Sequence, residues 1–353
     1  MTRPHSKENG TQGEIVKAEI PLPEPQKGEI VVEIAGCGVC HTDLGFYFDG
    51  VPTVNKPPLT LGHEISGVVV GGESSWIGKE VIIPAVLPCG DCEICKDGRG
   101  NRCLKQKMPG NSLGSQGGFS SHIVVPAADA CPVENRGDIP LEKLAVVADA
   151  VTTPYQAAMR AGLKKGDHVV VIGAAGGVGL YMTQIAKALG AATVIAVDID
   201  EAKLERSLQY GADAAILAKG KSPKDIRKEY GALAKKQGLP NYGWKIFEVS
   251  GSKPGQETAL AMLGFVGKLI IVGFNTAKVE YSISRLMAFD AEIIGTWGCL
   301  PKYYPEVLKM VLSGEIKIEP FVELRKMSSI IETFNEAHKT GSPDKRVVLT
   351  PDF

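Results

Sequence analysis

Val169-Val-Val-Ile172 runs without a polar residue into Gly173-Ala-Ala-Gly176-Gly177-Val178-Gly179, and Leu180 to Leu189 then reads as an apolar helix. A strand meeting a glycine-rich turn at the head of a helix is the phosphate-cradling unit of a dinucleotide site. Its glycines let backbone N–H groups approach a pyrophosphate at the helix N-terminus. A strict G-x-G-x-x-G reading must start at Ala174, so the match is imperfect, with Gly176 and Gly179 in the second and third glycine places. Asp198 supplies the missing context. It closes the next apolar run, nineteen residues after Gly179, where a carboxylate accepts both hydroxyls of an adenosine ribose and repels a 2′-phosphate. The stretch therefore predicts NAD in preference to NADP, bound by Gly173, Gly176, Gly177, Val178, Gly179 and Asp198. The plainer alternative is a glycine turn of an ordinary α/β sheet with a solvated Asp at a strand end.

Outward from that turn, strand-like runs alternate with helical stretches from about Pro154. They are Val169 to Ile172, Thr193 to Val197, Ala214 to Leu217, Trp244 to Val249, Lys268 to Val272 and Ala291 to Gly295. Six such runs predict an α/β domain with a doubly wound, six-stranded parallel sheet. Before it, Glu29 to Ala35, Gly67 to Val70, Glu80 to Ile83 and His122 to Val125 are short β-rich runs between Gly/Pro turns, the texture of a β-barrel. After Trp297 come a turn, a helical stretch near Pro305 to Leu312 and a strand-like Arg346 to Thr350, expected to fold back onto the first half. The boundaries expected are 1–153, 154–296 and 297–353.

The whole chain of 353 residues has room for two domains with proper cores. With 39 Lys plus Arg against 40 Asp plus Glu, no long-range field recruits nucleic acid or an anionic membrane. Mean hydropathy is +0.02, and no apolar run reaches the roughly 18 residues of a membrane span. The opening ten residues lack the apolar core of a secretory signal, so a cytoplasmic, thiol-reducing setting is expected. There, clustered cysteines point to metal. Cys89-x-x-Cys92-x-x-Cys95-x7-Cys103 offers four thiolates to one tetrahedral ion within a lobe at 89–103, the pattern of a closed, structural zinc. Cys37, Cys131 and Cys299 read as packing thiols.

A second metal centre is suggested by Cys40, in Gly36-Cys-Gly-Val-Cys40-His41-Thr42-Asp43, and by His63, in Gly62-His63-Glu64. One Cys, one His and a third ligand leave a fourth zinc position open for chemistry. Spacing alone does not choose the third ligand.

Together, Cys-His-Thr-Asp at 40–43, Gly-His-Glu at 62–64, the four-cysteine lobe, the glycine turn and Asp198 resemble the zinc-dependent medium-chain alcohol dehydrogenases over nearly the whole length. The resemblance implies a GroES-like β-barrel catalytic domain made from both chain ends, a Rossmann domain between them, and an active-site cleft at their junction. It implies one catalytic and one structural zinc, with Cys40, His63 and Asp149 as catalytic ligands; Asp149 stands where many relatives have a cysteine. Glu64 resembles a near-metal acid, with a structural salt bridge as the alternative. Thr42 matches the hydroxyl that takes the substrate's proton, Asp43 the residue that holds the His63 imidazole, and His41 and Arg346 positions that bind the NAD pyrophosphate. Gly45 departs from relatives that carry a histidine at the outer end of the proton relay.

The same resemblance places Trp297 near the nicotinamide and substrate. Phe46, Tyr47 and Phe48 are expected on an apolar pocket wall, or else in ordinary core. Three blocks, 36–50, 106–111 and 148–156, look most like a branch that oxidises the ring hydroxyl of 6-hydroxycyclohex-1-ene-1-carbonyl-CoA in anaerobic aromatic degradation. The competing expectation is a dehydrogenase of simple secondary or cyclic alcohols, and a further one a non-enzymatic binding protein with the same fold. Arg99, Arg102, Lys105 and Lys107 form a basic group that either meets the CoA phosphates or is a solvated charge run. The short 103–118 segment is similar to that of tetrameric members, so a homotetramer is expected, with a dimer as the alternative.

Overall fold

A computed structural model describes residues 1–6, 10–340 and 344–353, and the chain divides into two compact units. Met1–Thr152 and Gly298–Phe353 make one; Thr153–Trp297 makes the other. Strands of the first stretch are β1 (Glu29–Gly38), β2 (Glu64–Gly72), β3 (Glu80–Ile83), β4 (His122–Pro126) and β5 (Cys131–Pro132). The second unit holds β6 (His168–Ile172), β7 (Thr193–Asp198), β8 (Ala214–Leu217), β9 (Lys245–Glu248), β10 (Lys268–Ile271) and β11 (Glu292–Gly295), and the return segment adds β12 (Val322–Lys326) and β13 (Arg346–Thr350).

The first unit is a seven-stranded sheet in the order β12-β13-β1-β2-β3-β5, with β4 also on β1. Its strands are dominated by Val and Ile, whose branched side chains suit a pleated surface with one buried face. The core between them gathers Ile30, Val32, Ile65, Val81, Ile83, Ile123 and Val125 from the early strands with Val347 and Leu349 from β13. Residues from both chain ends thus share one core, because β13 pairs antiparallel with β1 through Cys37↔Leu349 and Gly38↔Val348. That same stretch of β1 pairs on its other side with β2, through Cys37↔Ile65 and Gly38↔Glu64. Three segments distant in sequence converge at the end of β1.

The second unit is a six-stranded sheet in the order β11-β10-β9-β6-β7-β8, parallel at every pairing. From the first strand, β6, the chain runs outward through β7 to β8, then crosses to β9 beside β6. This reversal makes the carboxyl ends of β6 and β9 the switch point where an open α/β sheet binds its ligand. The architecture is the GroES-like barrel plus Rossmann-type sheet expected from the sequence. No described helix is long and apolar enough to cross a membrane.

Candidate active site

The end of β1 sets the first cluster. Cys40 is the N-cap of the helix His41–Phe48, with φ −108° and ψ 152°. Asp43, fully buried, accepts from Cys40 N at 3.1 Å and from Gly62 N at 3.0 Å. One carboxylate therefore ties the Cys40 turn to the segment leading into β2. Its Oδ1 also lies 3.3 Å from His63 Nδ1, so the imidazole presents Nε2 to the opposite side. Gly62 has φ +99°, and a Cβ there would lie 2.7 Å from Cys37 Sγ. Only glycine lets the chain turn so close to β1.

Asp149 arrives from elsewhere, ending the 3₁₀ segment Leu141–Ala148, whose start is tied to β2 by a Ser66 Oγ bond to Leu141 O of 2.7 Å. Its Oδ2 lies 3.6 Å from Cys40 Sγ and 3.6 Å from His63 Nε2. Tetrahedral zinc with usual bond lengths separates sulfur and oxygen ligands by about 3.6 Å, and nitrogen and oxygen by about 3.4 Å. The three side chains stand at the spacing of ligands round one ion. With Nδ1 facing Asp43 Oδ1, the buried Nε2 of His63 has no hydrogen-bond donor to accept from, a lack that a metal at Nε2 would repair. Burial works against charge on His63, yet Asp43, Asp149 and Cys40 outweigh it and raise its pKa well above the usual range. The pocket demands a positive charge.

Glu64 offers a fourth donor atom, an oxygen within 4.8 Å of the ligand atoms of Cys40, His63 and Asp149. It is fully buried and held by Arg346, whose Nε donates to Oε2 at 2.7 Å and whose Nη2 donates to Oε1. Burial pushes its carboxyl upward, against the pull of Arg346. The β1 pairings explain the meeting: Gly38 faces Glu64 on one side and Val348, two residues after Arg346 in β13, on the other. A Cβ at Gly38 would fall 2.1 Å from Glu64 Oε2. Arg346, expected on a pyrophosphate, is engaged with Glu64. His41 is exposed, and the Thr42 hydroxyl lies 3.7 Å from Cys40 Sγ.

Phe46, Tyr47 and Phe48 are buried in the core of their unit. Tyr47 packs edge-on to Phe334 with ring centroids 6.0 Å apart, and Phe48 stacks on His338 at 4.1 Å. Of the two expectations this is the ordinary core: the helix His41–Phe48 turns Tyr47 and Phe48 toward the helix Ile330–Thr340, whose apolar face carries Ile330, Phe334 and Ala337 at helical spacing. Trp297 is the last residue of the second unit and is partly exposed.

The four-cysteine lobe is closed at its base by a bridge between Leu87 and Lys107. Its Sγ separations are 3.4 Å for Cys89–Cys103, 3.5 Å for Cys92–Cys95, 3.7 Å for Cys92–Cys103 and 4.0 Å for Cys89–Cys95. Tetrahedral zinc places thiolates about 3.8 Å apart, whereas a disulfide needs about 2.05 Å. The backbone N–H groups of Cys89 and Lys105 point at Cys103 Sγ, at 3.4 and 3.2 Å, which suits a thiolate. The donor set fits a closed zinc site. Arg99, Arg102, Lys105 and Lys107 are all exposed on this lobe.

In the second unit, Gly173 follows β6 with φ +84°, and a Cβ there would lie 2.6 Å from Ser250 Cα. A Cβ on Gly179 would fall 1.9 Å from Gly173 O, so the helix Gly179–Ala188 meets the turn backbone to backbone, with Val178 as its N-cap and Gly176 and Gly177 in the turn before it. Asp198 ends β7 with Oδ2 accepting from Ala175 N at 2.9 Å and Oδ1 accepting from Ile199 N at 2.7 Å. The carboxylate is held beside the glycine turn, where the ribose reading needs it.

Sequence reasoning missed Tyr304. Fully buried, its hydroxyl donates to Ala148 O and accepts from Ala85 N at 3.2 Å, next to Asp149 in the chain. Only an aromatic at the head of an amphipathic helix marks it in the sequence, and that pattern signals core.

Residues 26–135 match the alcohol dehydrogenase GroES-like domain, and residues 177–313 match the zinc-binding dehydrogenase domain. An alcohol dehydrogenase of Geobacillus stearothermophilus is 32% identical over 337 residues, 94% of each chain. An NAD-dependent alcohol dehydrogenase of Sulfurisphaera tokodaii is 28% identical, covering 94% of this chain and 95% of its own. Among solved structures, galactitol-1-phosphate dehydrogenase of Escherichia coli superposes with a TM-score of 0.85 at 26% identity, over 97% of this chain and 98% of that one. The cobalt- and zinc-bound thermostable alcohol dehydrogenase of Pyrobaculum aerophilum gives 0.79 at 25% identity, over 95% and 94%. With the fold, both donor sets and these relatives in agreement, the chain belongs to the zinc-dependent medium-chain alcohol dehydrogenase family and is an oxidoreductase acting on CH–OH with zinc and NAD as cofactors.

Proposed function

We propose that this chain oxidises a secondary or cyclic alcohol to its ketone, with Cys40, His63 and Asp149 as the catalytic zinc ligands and Cys89, Cys92, Cys95 and Cys103 holding a structural zinc. The observation that carries the reading is the 3.6 Å spacing of Asp149 Oδ2 from both Cys40 Sγ and His63 Nε2. When bound, zinc supplies Lewis acidity toward the alcohol oxygen and NAD accepts the hydride. Asp43 fixes the tautomer and orientation of His63. Thr42 takes up the hydroxyl proton at Oγ1. Replacing the more usual thiolate by Asp149 leaves more positive charge on the ion, favouring ionisation of the alcohol. Gly45 has no proton-carrying side chain, so a proton held at Thr42 Oγ1 would leave by another route, for which the ribose of bound NAD and water would be acceptors. Gly173, Gly176, Gly177, Val178 and Gly179 would cradle the NAD pyrophosphate, and Asp198 would bind the adenosine ribose.

The narrower substrate reading is 6-hydroxycyclohex-1-ene-1-carbonyl-CoA. It rests on the sequence blocks at 36–50, 106–111 and 148–156, with the exposed basic group at 99–107 as the partner of the CoA phosphates. Within that group Lys105 has an acid, Asp91, only at 3.9 Å. NADH formation from the thioester, the free acid and plain cyclohexanols separates the two. A kcat/KM at least tenfold higher for the thioester supports CoA recognition, and equal turnover of cyclohexanol removes it. A cytoplasmic homotetramer completes the proposal, to be checked by light scattering.

A further inference from the structure

We infer that Tyr304 is a positioning residue for the catalytic metal, acting through the backbone that carries Asp149. The inference rests on the reading of Asp149 as a zinc ligand. Asp149 lies at a break, with φ −143° and ψ −56°, between the 3₁₀ segment Leu141–Ala148 and the helix Thr152–Ala161. No strand ladder or helix fixes its direction, so its carboxylate is aimed by whatever anchors its neighbours. The Val151 N–H donates to Val146 O at 3.1 Å across the turn, and the peptide next to Asp149 is anchored at the Ala148 carbonyl. It accepts from the Tyr304 hydroxyl and from Thr152 Oγ1, the latter at 3.2 Å. The same phenol oxygen accepts from Ala85 N at 3.2 Å, just beyond β3. One buried hydroxyl therefore joins the barrel strand region to the peptide immediately before the ligand.

Phenylalanine fills almost the same volume as tyrosine, and Tyr304 exposes no surface. The hydroxyl's contribution is thus its hydrogen bonds, with Ala148 O, Ala85 N and the Thr152 hydroxyl, all within the unit that holds the metal cluster. Outer groups that orient a ligand typically alter metal affinity by 10- to 100-fold. Tyr304 acts one peptide further out, so the lower end applies.

The test uses the full chain loaded with zinc and follows metal release to a chromogenic chelator. Release from the four-cysteine lobe is an internal control that a general loss of stability moves equally. In Tyr304→Phe the catalytic zinc is expected to leave about tenfold faster with the lobe unchanged, and the visible bands of the cobalt-substituted centre should shift. Catalytic release at the wild-type rate, or equal acceleration at both sites, overturns the inference. Thr152→Val removes the second donor to the same carbonyl and carries the test if Tyr304→Phe does not fold; unchanged release there also overturns it. Asp149→Asn separates the two claims: loss of one zinc supports the ligand reading, and retention of both refutes that reading together with the inference.

Discussion

Asp43→Asn is the sharpest probe of the metal centre, because three donors converge on two buried oxygens. Oδ2 receives Cys40 N at 3.1 Å; Oδ1 receives Gly62 N at 3.0 Å and stands 3.3 Å from His63 Nδ1. An asparagine keeps its single oxygen for one side only. If it stays with Gly62 and His63, the new NH2 faces the Cys40 N–H, and one buried donor is left unpaired at a cost of about 1–3 kcal/mol. His63 also loses a charged partner for its Nδ1–H, and such a bond is roughly twice as strong as a neutral one. Loss of an anionic outer partner weakens metal binding by about 10- to 100-fold, or about 1.4–2.8 kcal/mol. We expect the catalytic zinc affinity of Asp43→Asn, measured by competition with a chelator at neutral pH, to fall in that range. The lobe zinc should stay, and urea unfolding should show a loss of about 1–3 kcal/mol. Affinity within twofold of wild type would refute the claim that Asp43 orients the imidazole.

Other outcomes follow from single contacts. Cys103→Ser should lower zinc content from two per chain to one while sparing the catalytic ion, and should expose the lobe at 89–103 to proteolysis; metal analysis showing two zincs would contradict a closed four-cysteine site. Asp198→Ala should raise the KM for NAD about 10- to 100-fold, from lost hydrogen bonds to a charged group worth about 1.5–3 kcal/mol, and narrow its preference over NADP. An unchanged cofactor ratio would take Asp198 out of ribose recognition. Asp129 tests pH linkage, since burial raises its pKa from 3.8 to about 6. An acid whose folded pKa exceeds its unfolded value favours folding when protonated, so this contribution is present below pH 3.8 and lost as pH rises through 6. Asp129→Asn should therefore gain about 1–2 kcal/mol at pH 7, after allowance for solvent screening, and nothing at pH 3.5. Equal gains at both pH values would assign the effect to something other than titration.

Local pattern made the Rossmann sheet legible, because apolar runs such as Val169 to Ile172 and Ala214 to Leu217 lie between turns and need no distant partner to be seen. The cysteine lobe was legible for the same reason: its ligands span fifteen positions of one loop. Cys40 and His63 suggested a second metal centre by residue type, but Asp149 was legible only through resemblance, since it lies 109 positions from Cys40 and meets it through packing of a 3₁₀ segment on β2. Two placements turned on packing, for which local pattern carries no direction. Phe46, Tyr47 and Phe48 look alike whether they face a substrate or a core, and the helix Ile330–Thr340 decided for core. Arg346 was read only through the resemblance, as a pyrophosphate position, and its pairing with Glu64 depends on β1 joining β2 on one side and β13 on the other. That pairing also explains why the barrel must be completed by the chain's far end. Without β13 the buried Glu64 would lose the Arg346 guanidinium that pairs with it, and a buried carboxylate left without that partner tends to take up a proton or draw water inward. The return segment thus finishes the sheet and neutralises the acid beside the metal in one step, which ties barrel closure to the chemistry of the site.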